Sequence, residues 1–301
     1  MLKGVKRLEK TKVGSSEELG FVEALKLTFT YWARKLPYFM LPYLLISLIS
    51  ILIIFGALAA FGFDLGFLLG VSYVTDIPSP PIDWATQWQT VLPTMFVGIA
   101  VAVLITVFFE LLIEGMLVKY AADLHQGVEG PSLKDSLSHA LSRFPSLLGA
   151  TILIILIILG VVAVGIAIIF ALIFALAGTG NILAIIAGVL LGVLIMVVLI
   201  IIITTYFTVA IQSIILEDSG AVQSLKRSWY LVKGKWWLTF ILGIVIAIIT
   251  GVVGAIGGAI ASITTILIVS MVISTIINAI ISPIEIIAFT LWFFNLKAIK
   301  G

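Results

Sequence analysis

Three carboxylates stand where a bilayer-crossing chain accommodates charge least well. Glu110 and Glu114 lie four residues apart, on one helix face, inside "VLITVFFELLIEGMLV", and Glu285 follows Pro283 in "ISPIEIIAF". A charged carboxylate at mid-bilayer costs about 2.5–3.5 kcal/mol on insertion scales, so such acids face the protein interior or line a solute or proton pathway. A structural reading stands beside this one, because Glu114 is within two turns of Lys119 and can reach an interface. Spacing adds Thr204 to the set. Glu114, Thr204 and Glu285 each precede a glycine by sixteen residues (Gly130, Gly220 and Gly301). Glu110, Glu114, Thr204 and Glu285 are therefore expected as one intramembrane polar cluster, in which like charges in a low dielectric cannot all ionise.

Other chemistry is sparse. The chain has no cysteine, which removes disulfides, thiolate catalysis and cysteine metal sites. It has two histidines, His125 and His139. Asp123, His125 and Glu129 form a conceivable metal or acid–base set, but ordinary loop polarity explains them as well. Metalloprotease, nucleophile-elbow and phosphate-loop patterns are absent. The expectation is no enzyme, no metal and no cofactor.

The elements that must position the acids follow from composition. Hydrophobic residues make up 62% of 301 residues, with mean hydropathy +1.29, well above the roughly 45–50% of soluble domains. Apolar runs longer than about 18 residues recur, the length a bilayer core demands of a helix. Six spans are drawn: 37–61, 92–120, 146–177, 182–216, 235–260 and 264–296. All 17 cations fall on one set of segments, namely the N-terminal arm, 117–146, 217–235 and the tail. The intervening connections, 62–91, 178–181 and the turn near Ser262, carry none. The positive-inside rule then places both termini and every basic loop in the cytoplasm of a multi-pass cell-membrane protein.

The basic segments share a pattern. "FVEALKLTFTYWARKLPY" (21–38) aligns without a gap with "AVQSLKRSWYLVKGKWWL" (221–238). Val22, Leu25, Phe29 and Trp32 match Val222, Leu225, Trp229 and Val232, a stripe along one helix face. A weaker copy, "SLKDSLSHALSRFPSLL" (132–148), continues it through Leu137, Leu141 and Phe144. Ser15 with Glu18 and Ser132 with Asp135 read as capping boxes, and Pro37, Pro145 and Gly234 as helix stops. The expected fold is all-α, a polytopic membrane protein with six transmembrane helices. They form three parallel amphipathic-helix-plus-hairpin repeats with pseudo-threefold symmetry. The units are a basic arm at 1–20 and repeats at 21–130, 131–219 and 220–301. The first is lengthened by an outer loop with a Trp84/Trp88 interface segment.

In this scheme the amphipathic helices lie at the headgroups. Lys26, Arg34, Lys35, Arg143, Lys226, Arg227, Lys233 and Lys235 supply cations, and Trp229, Trp236 and Trp237 supply aromatic anchors. Each cation near an anionic surface contributes about 1 kcal/mol, so anionic lipids are the expected partners. Small residues spaced by four, Ala184, Gly188 and Gly192 and then Gly254, Gly258 and Ser262, predict close helix packing or self-association. Nucleic acid is not an expected partner.

The segment "EDSGAVQSLKRSWYLVKGKWW" (217–237) resembles the glycerophosphoryl diester phosphodiesterase membrane-domain family and related bacterial and archaeal polytopic proteins. "GMLVKYAADLHQGVEGPSLKDSL" (115–137) is similar to their mid-chain loop, and "PIEIIAFTLWFFNLKAIKG" (283–301) to their closing helix. The resemblance covers the membrane part only, without a phosphodiesterase domain, and implies no hydrolysis. Two functions are expected: first a membrane accessory or scaffold engaging lipids, a partner protein or a second copy; otherwise a transporter or channel for a small solute, lipid or ion using the intramembrane carboxylates.

Overall fold

The computed structural model describes residues 20–60, 84–263 and 267–300. The described chain is all-helical. In order the helices are α1 (Phe21–Ala60), α2 (Trp84–His125), α3 (Leu133–Ala177), α4 (Ile182–Phe207), α5 (Ala210–Glu217), α6 (Ala221–Val232), α7 (Trp236–Ala261) and α8 (Leu267–Lys300). Six segments are long and apolar enough to cross a membrane, α4 and α5 together making one of them. The protein is a multi-pass membrane protein.

Local chemistry sets the boundaries. Ser132 Oγ accepts from the Asp135 N–H (3.3 Å) and starts α3; Asn181 Oδ1 accepts from Leu183 and Ala184 N–H (3.0 and 3.3 Å) and starts α4. Gly234 takes φ +85° in the turn from α6 to α7, a left-handed conformation that glycine enters without steric cost. Ser15, Glu18 and the 61–83 connection lie outside the described residues. Trp84 and Trp88 belong to the first turns of the long helix α2, not to a separate interface segment.

Two expectations about breaks need correction. Pro145 does not stop a helix but lies inside the continuous 45-residue α3. The stop expected at Pro37 is present as a kink two residues earlier, where two helical segments of α1 meet at Lys35 (φ −121°, ψ 20°). Lys35 takes the conformation that Pro37 and the preceding turn leave open, since a proline ring clashes with the carbonyl four residues earlier. The fourth span is not one helix: α4 ends at Phe207 and α5 begins at Ala210. Lys235, at the start of α7, has φ −122° and ψ 18°, nearly the values at Lys35 two hundred residues earlier.

The hairpins α1/α2, α3/α4 and α7/α8 pack side by side, with α2 against α3 and α8 against α1, while α4 meets α7 only lightly. Packing is densest at the end bearing the basic loops. There Phe39, Leu117, Tyr120, Leu147 and Ile214 form one core, and Leu231, Val232, Leu242, Trp292 and Phe293 another. Helix α6 belongs to that second core. It buries Ser224, Leu225, Ser228, Leu231 and Val232 against the protein, whereas Val222 is exposed. The buried face is thus rotated from the expected stripe, because α6 packs on α3, α4 and α5.

Glycine contacts separate tight seams from open ones. A Cβ on Gly188 would stand 2.7 Å from Leu176, and one on Gly192 2.6 Å from Ile169, which locks α4 against α3. Gly254 has ordinary clearance (3.8 Å to Ile281) and Gly258 meets nothing within 4 Å, so neither is the close-approach residue of α7. That residue is Gly257, whose Cβ would lie 2.6 Å from Ile277; the seam with α8 faces one position earlier. Gly257→Ala is expected to destabilise by about 1–3 kcal/mol through overpacking. Gly258→Ala should be neutral or gain up to about 1 kcal/mol of helix propensity. Thermal unfolding of the two variants in detergent checks the contrast, and equal midpoints would refute this packing.

Candidate functional site

The acids of α2 and α8 meet in one cavity of about 790 Å³. Glu110 and Glu114 line it from successive turns of α2, and Glu285 lines it from α8. Helix α1 contributes Tyr43, the α4–α5 break Thr208, and α5 Gln212. Asn278 and Ser282 extend the polar lining along α8, on the same stripe as Glu285. Helix α7 completes the lining, with Ile246, Ala247 and Thr250 between the bare backbone of Gly243, Gly251 and Gly254. From Gly243 to Gly254, and from Asn278 to Phe289, the lining runs about 16 Å along each helix at 1.5 Å per residue.

Electrostatically the site is one-sided. Its lining contains three carboxyl groups and no lysine, arginine or histidine. Among the described residues, none of the three acids has an ion-pair partner. Glu110 and Glu285 are exposed and Glu114 is half-buried. Gln212 is 3% exposed, and its Oε1 has no hydrogen-bond partner. Toward the basic end the cavity gives way to packed side chains, with Leu117, Leu291, Trp292 and Phe293 at most 1% exposed.

Thr204 is not part of this cluster. Its hydroxyl donates to the Ile200 and Ile201 carbonyls (2.8 and 3.2 Å) and the residue is exposed. Thr208, one turn later, takes the lining position. The even sixteen-residue register fails here because the chain leaves helical geometry at Val209 (φ −105°, ψ 20°) before α5 resumes. Sequence reasoning also missed Gln212, Tyr43 and Asn278. The isolated amide in "FTVAIQSII" was the available signal, since a lone glutamine in an apolar run needs a polar neighbour.

The break is held by α6. Ser228 Oγ donates to the Tyr206 carbonyl (2.7 Å) and accepts from the Val209 N–H (3.3 Å), serving two backbone groups that the interruption leaves without helical partners. Trp229 stacks on Tyr206 with ring centroids 3.9 Å apart. Serine and tryptophan together fix the segment that carries Thr208 and Gln212 into the cavity.

A model of one protein family spans the elements just described. It matches residues 23–296, from the first turn of α1 to the last turns of α8, and is described as a domain of unknown function, DUF7847. The chain belongs to the DUF7847 family. No curated protein and no solved structure matches it.

At the basic end of this DUF7847 chain several expected headgroup cations have protein partners. Arg227 makes two hydrogen bonds to Glu217, Nε to Oε2 (2.8 Å) and Nη2 to Oε1 (2.9 Å), and Lys297 reaches the same carboxylate at 3.0 Å. The Glu217 hydrogen bonds hold the Arg227 pKa above its ordinary value. Arg143 pairs with Asp218, whose left-handed conformation (φ 55°) ends α5 and turns the acid toward α3. Arg227 and Arg143 are therefore corrected from lipid contacts to internal ties between α3, α5, α6 and α8. Lys300 Nζ donates to the Tyr230 and Lys233 carbonyls at the end of α6. Lys26, Arg34, Lys226 and Lys233 are exposed, and Lys35 lies over the Tyr38 ring at 5.3 Å. Lys235 is half-buried; Trp236 Nε1 donates to the Ile202 carbonyl (3.4 Å) and Trp237 is 69% exposed.

The histidines have structural settings. His139 Nε2 donates to the Ile215 carbonyl (2.9 Å), and His125 packs between the rings of Tyr31 and Phe294. Asp123 pairs with Lys119 at 2.6 Å, while Glu129 is exposed on the connection to α3. Among the described residues no group of three or more His, Cys, Asp or Glu is placed to hold a metal ion.

Proposed function

We propose that the protein is a non-enzymatic membrane protein that binds a small solute in the acid-lined cavity and passes it across the bilayer. The observation that carries this reading is the cavity itself, which joins Glu110, Glu114 and Glu285 with Gln212 in one polar space. A scaffold with a closed or lipid-filled centre has no use for three carboxyl groups at that depth, each costly to insert. The pathway role therefore takes precedence over the accessory role that the sequence put first.

The rest of the scheme belongs to the same proposal. Both termini and the basic loops are cytoplasmic, so the densely packed end faces the cytoplasm. Three repeats build the walls; the matched backbone values at Lys35 and Lys235 support equivalent elbows in the first and third. The exposed cations Lys26, Arg34, Lys226 and Lys233, with Trp237, engage anionic lipid headgroups. Kinship with the glycerophosphoryl diester phosphodiesterase membrane-domain family rests on the three segments quoted above, which correspond to the α5–α7, α2–α3 and α8 regions.

Gly251 provides the test, because it lines the cavity and a Cβ there meets no protein atom within 4 Å. Proteoliposomes of the wild type and of Gly251→Trp are incubated with a mixture of putrescine, 2-phenylethylamine, glutamate and glucose, and lumenal contents are quantified by mass spectrometry. The wild type is expected to accumulate at least one solute at ten times or more the level of the plugged variant. Equal contents for every solute would return the accessory role to first place.

A further inference from the structure

We propose that the cavity is a recognition site for a small amphiphilic organic cation, its ammonium group seated among Glu114, Glu285 and the Gln212 amide oxygen. This deepens the solute-binding reading and rests on it. The cavity offers acceptors and no cation: three carboxyl groups, with no basic side chain in the lining. Gln212 supplies an independent indication. Its side chain is 3% exposed, lines the cavity, and leaves Oε1 without a donor. An orphaned buried acceptor costs about 1–3 kcal/mol, and an incoming N–H donor removes that cost. An ammonium carries three such donors and the charge that the acids lack. Anionic solutes are disfavoured by the same arrangement, since like charges in a partly desolvated site repel.

Size and wall chemistry set the body of the ligand. About 790 Å³ far exceeds the roughly 30 Å³ share of one water, so a bare ion leaves most of the space unfilled. Ile246, Ile281 and Phe289 line it beside the glycine face of α7. That combination, apolar side chains of α7 and α8 lying beside three carboxyl groups, fits an apolar body carrying one positive end.

The absence of cysteine gives a clean background for the experiment. Gly251→Cys in phosphatidylglycerol nanodiscs is treated with a trimethylammonium-ethyl methanethiosulfonate and, separately, with the sulfonatoethyl reagent. Each rate is normalised to that with 2-mercaptoethanol. The cationic reagent is expected to react at least ten times faster, and the preference should fall to near one when Glu110, Glu114 and Glu285 are all changed to Gln. A wild-type preference of one or less overturns the cation assignment while leaving a solute cavity intact. No reaction with either reagent overturns the cavity reading itself. The preference is measured before the acids are altered, so a triple variant that misfolds does not rescue the idea. Protection of the thiol by 2-phenylethylamine identifies a free cation. Protection arising only when phosphatidylethanolamine is added identifies a lipid headgroup as the source of the ammonium. Protection by neither overturns the assignment of an amphiphilic cation.

Discussion

Replacing Trp292 with alanine is expected to cost the folded state about 3–5 kcal/mol, the range for emptying a fully buried large aromatic. Trp292 is 1% exposed and ranks among the largest side chains completely enclosed in the protein. Its indole joins three helices. Nε1 donates to Thr239 Oγ1 on α7 (2.9 Å), and Phe21 of α1 meets the ring edge-on at 6.2 Å. Thr239 keeps a second hydrogen bond, from its hydroxyl to the Lys235 carbonyl (3.1 Å), so the loss is chiefly one of packing. Trp292→Phe retains most of the volume and should recover more than half of the difference. Unfolding midpoints in a fixed detergent measure this ordering. If the alanine variant is as stable as the phenylalanine variant, the core at the basic end is not the main source of stability.

Ser228→Ala is expected to cost about 1–3 kcal/mol for each buried backbone group it strands. The carbonyl of Tyr206 and the N–H of Val209 both rely on the Ser228 hydroxyl, because α4 has ended and α5 has not begun. Ser228→Thr retains the hydroxyl and should lose much less. A purely local destabilisation would stop there. The geometry adds a second consequence, since the same break carries Thr208 and Gln212 into the cavity. Thiol reactivity at a cysteine placed at Gly251 is therefore expected to change several-fold in Ser228→Ala and to be restored in Ser228→Thr. Lower stability with unchanged reactivity would show that α6 supports the fold without shaping the cavity.

Hydropathy alone outlined the six crossing segments, because apolar runs of that length leave a helix in lipid as the one way to satisfy their backbone groups. The start of α3 was equally readable, since a Ser132 cap is a contact between residues three apart. The acids were identifiable for a related reason: Glu110, Glu114 and Glu285 are conspicuous wherever their neighbours are apolar. What they face was not readable. The break at Thr208–Val209 carries no proline or glycine signal; it exists because α6 packs beside it and Ser228 serves the two free backbone groups. That break moves the lining position from Thr204 to Thr208 and turns Gln212 inward.

The same division holds at the basic end. The stretch around Arg227 is cationic and aromatic by sequence, and an isolated helix of that kind lies on a membrane surface. Glu217, ten residues away, captures Arg227 and Lys297 together only because the turn at Asp218 folds α6 back over α5. Periodicity likewise marks glycine as a packing residue without saying which glycine: the α7–α8 seam selects Gly257 and leaves Gly258 open. Sequence by itself determined what each segment needs locally, a bilayer-length helix, a cap, a polar neighbour for an acid in an apolar run. The tertiary structure decided which partner answers each need, because contacts between residues tens to hundreds of positions apart depend on how neighbouring helices rotate and break, and no local pattern records that rotation.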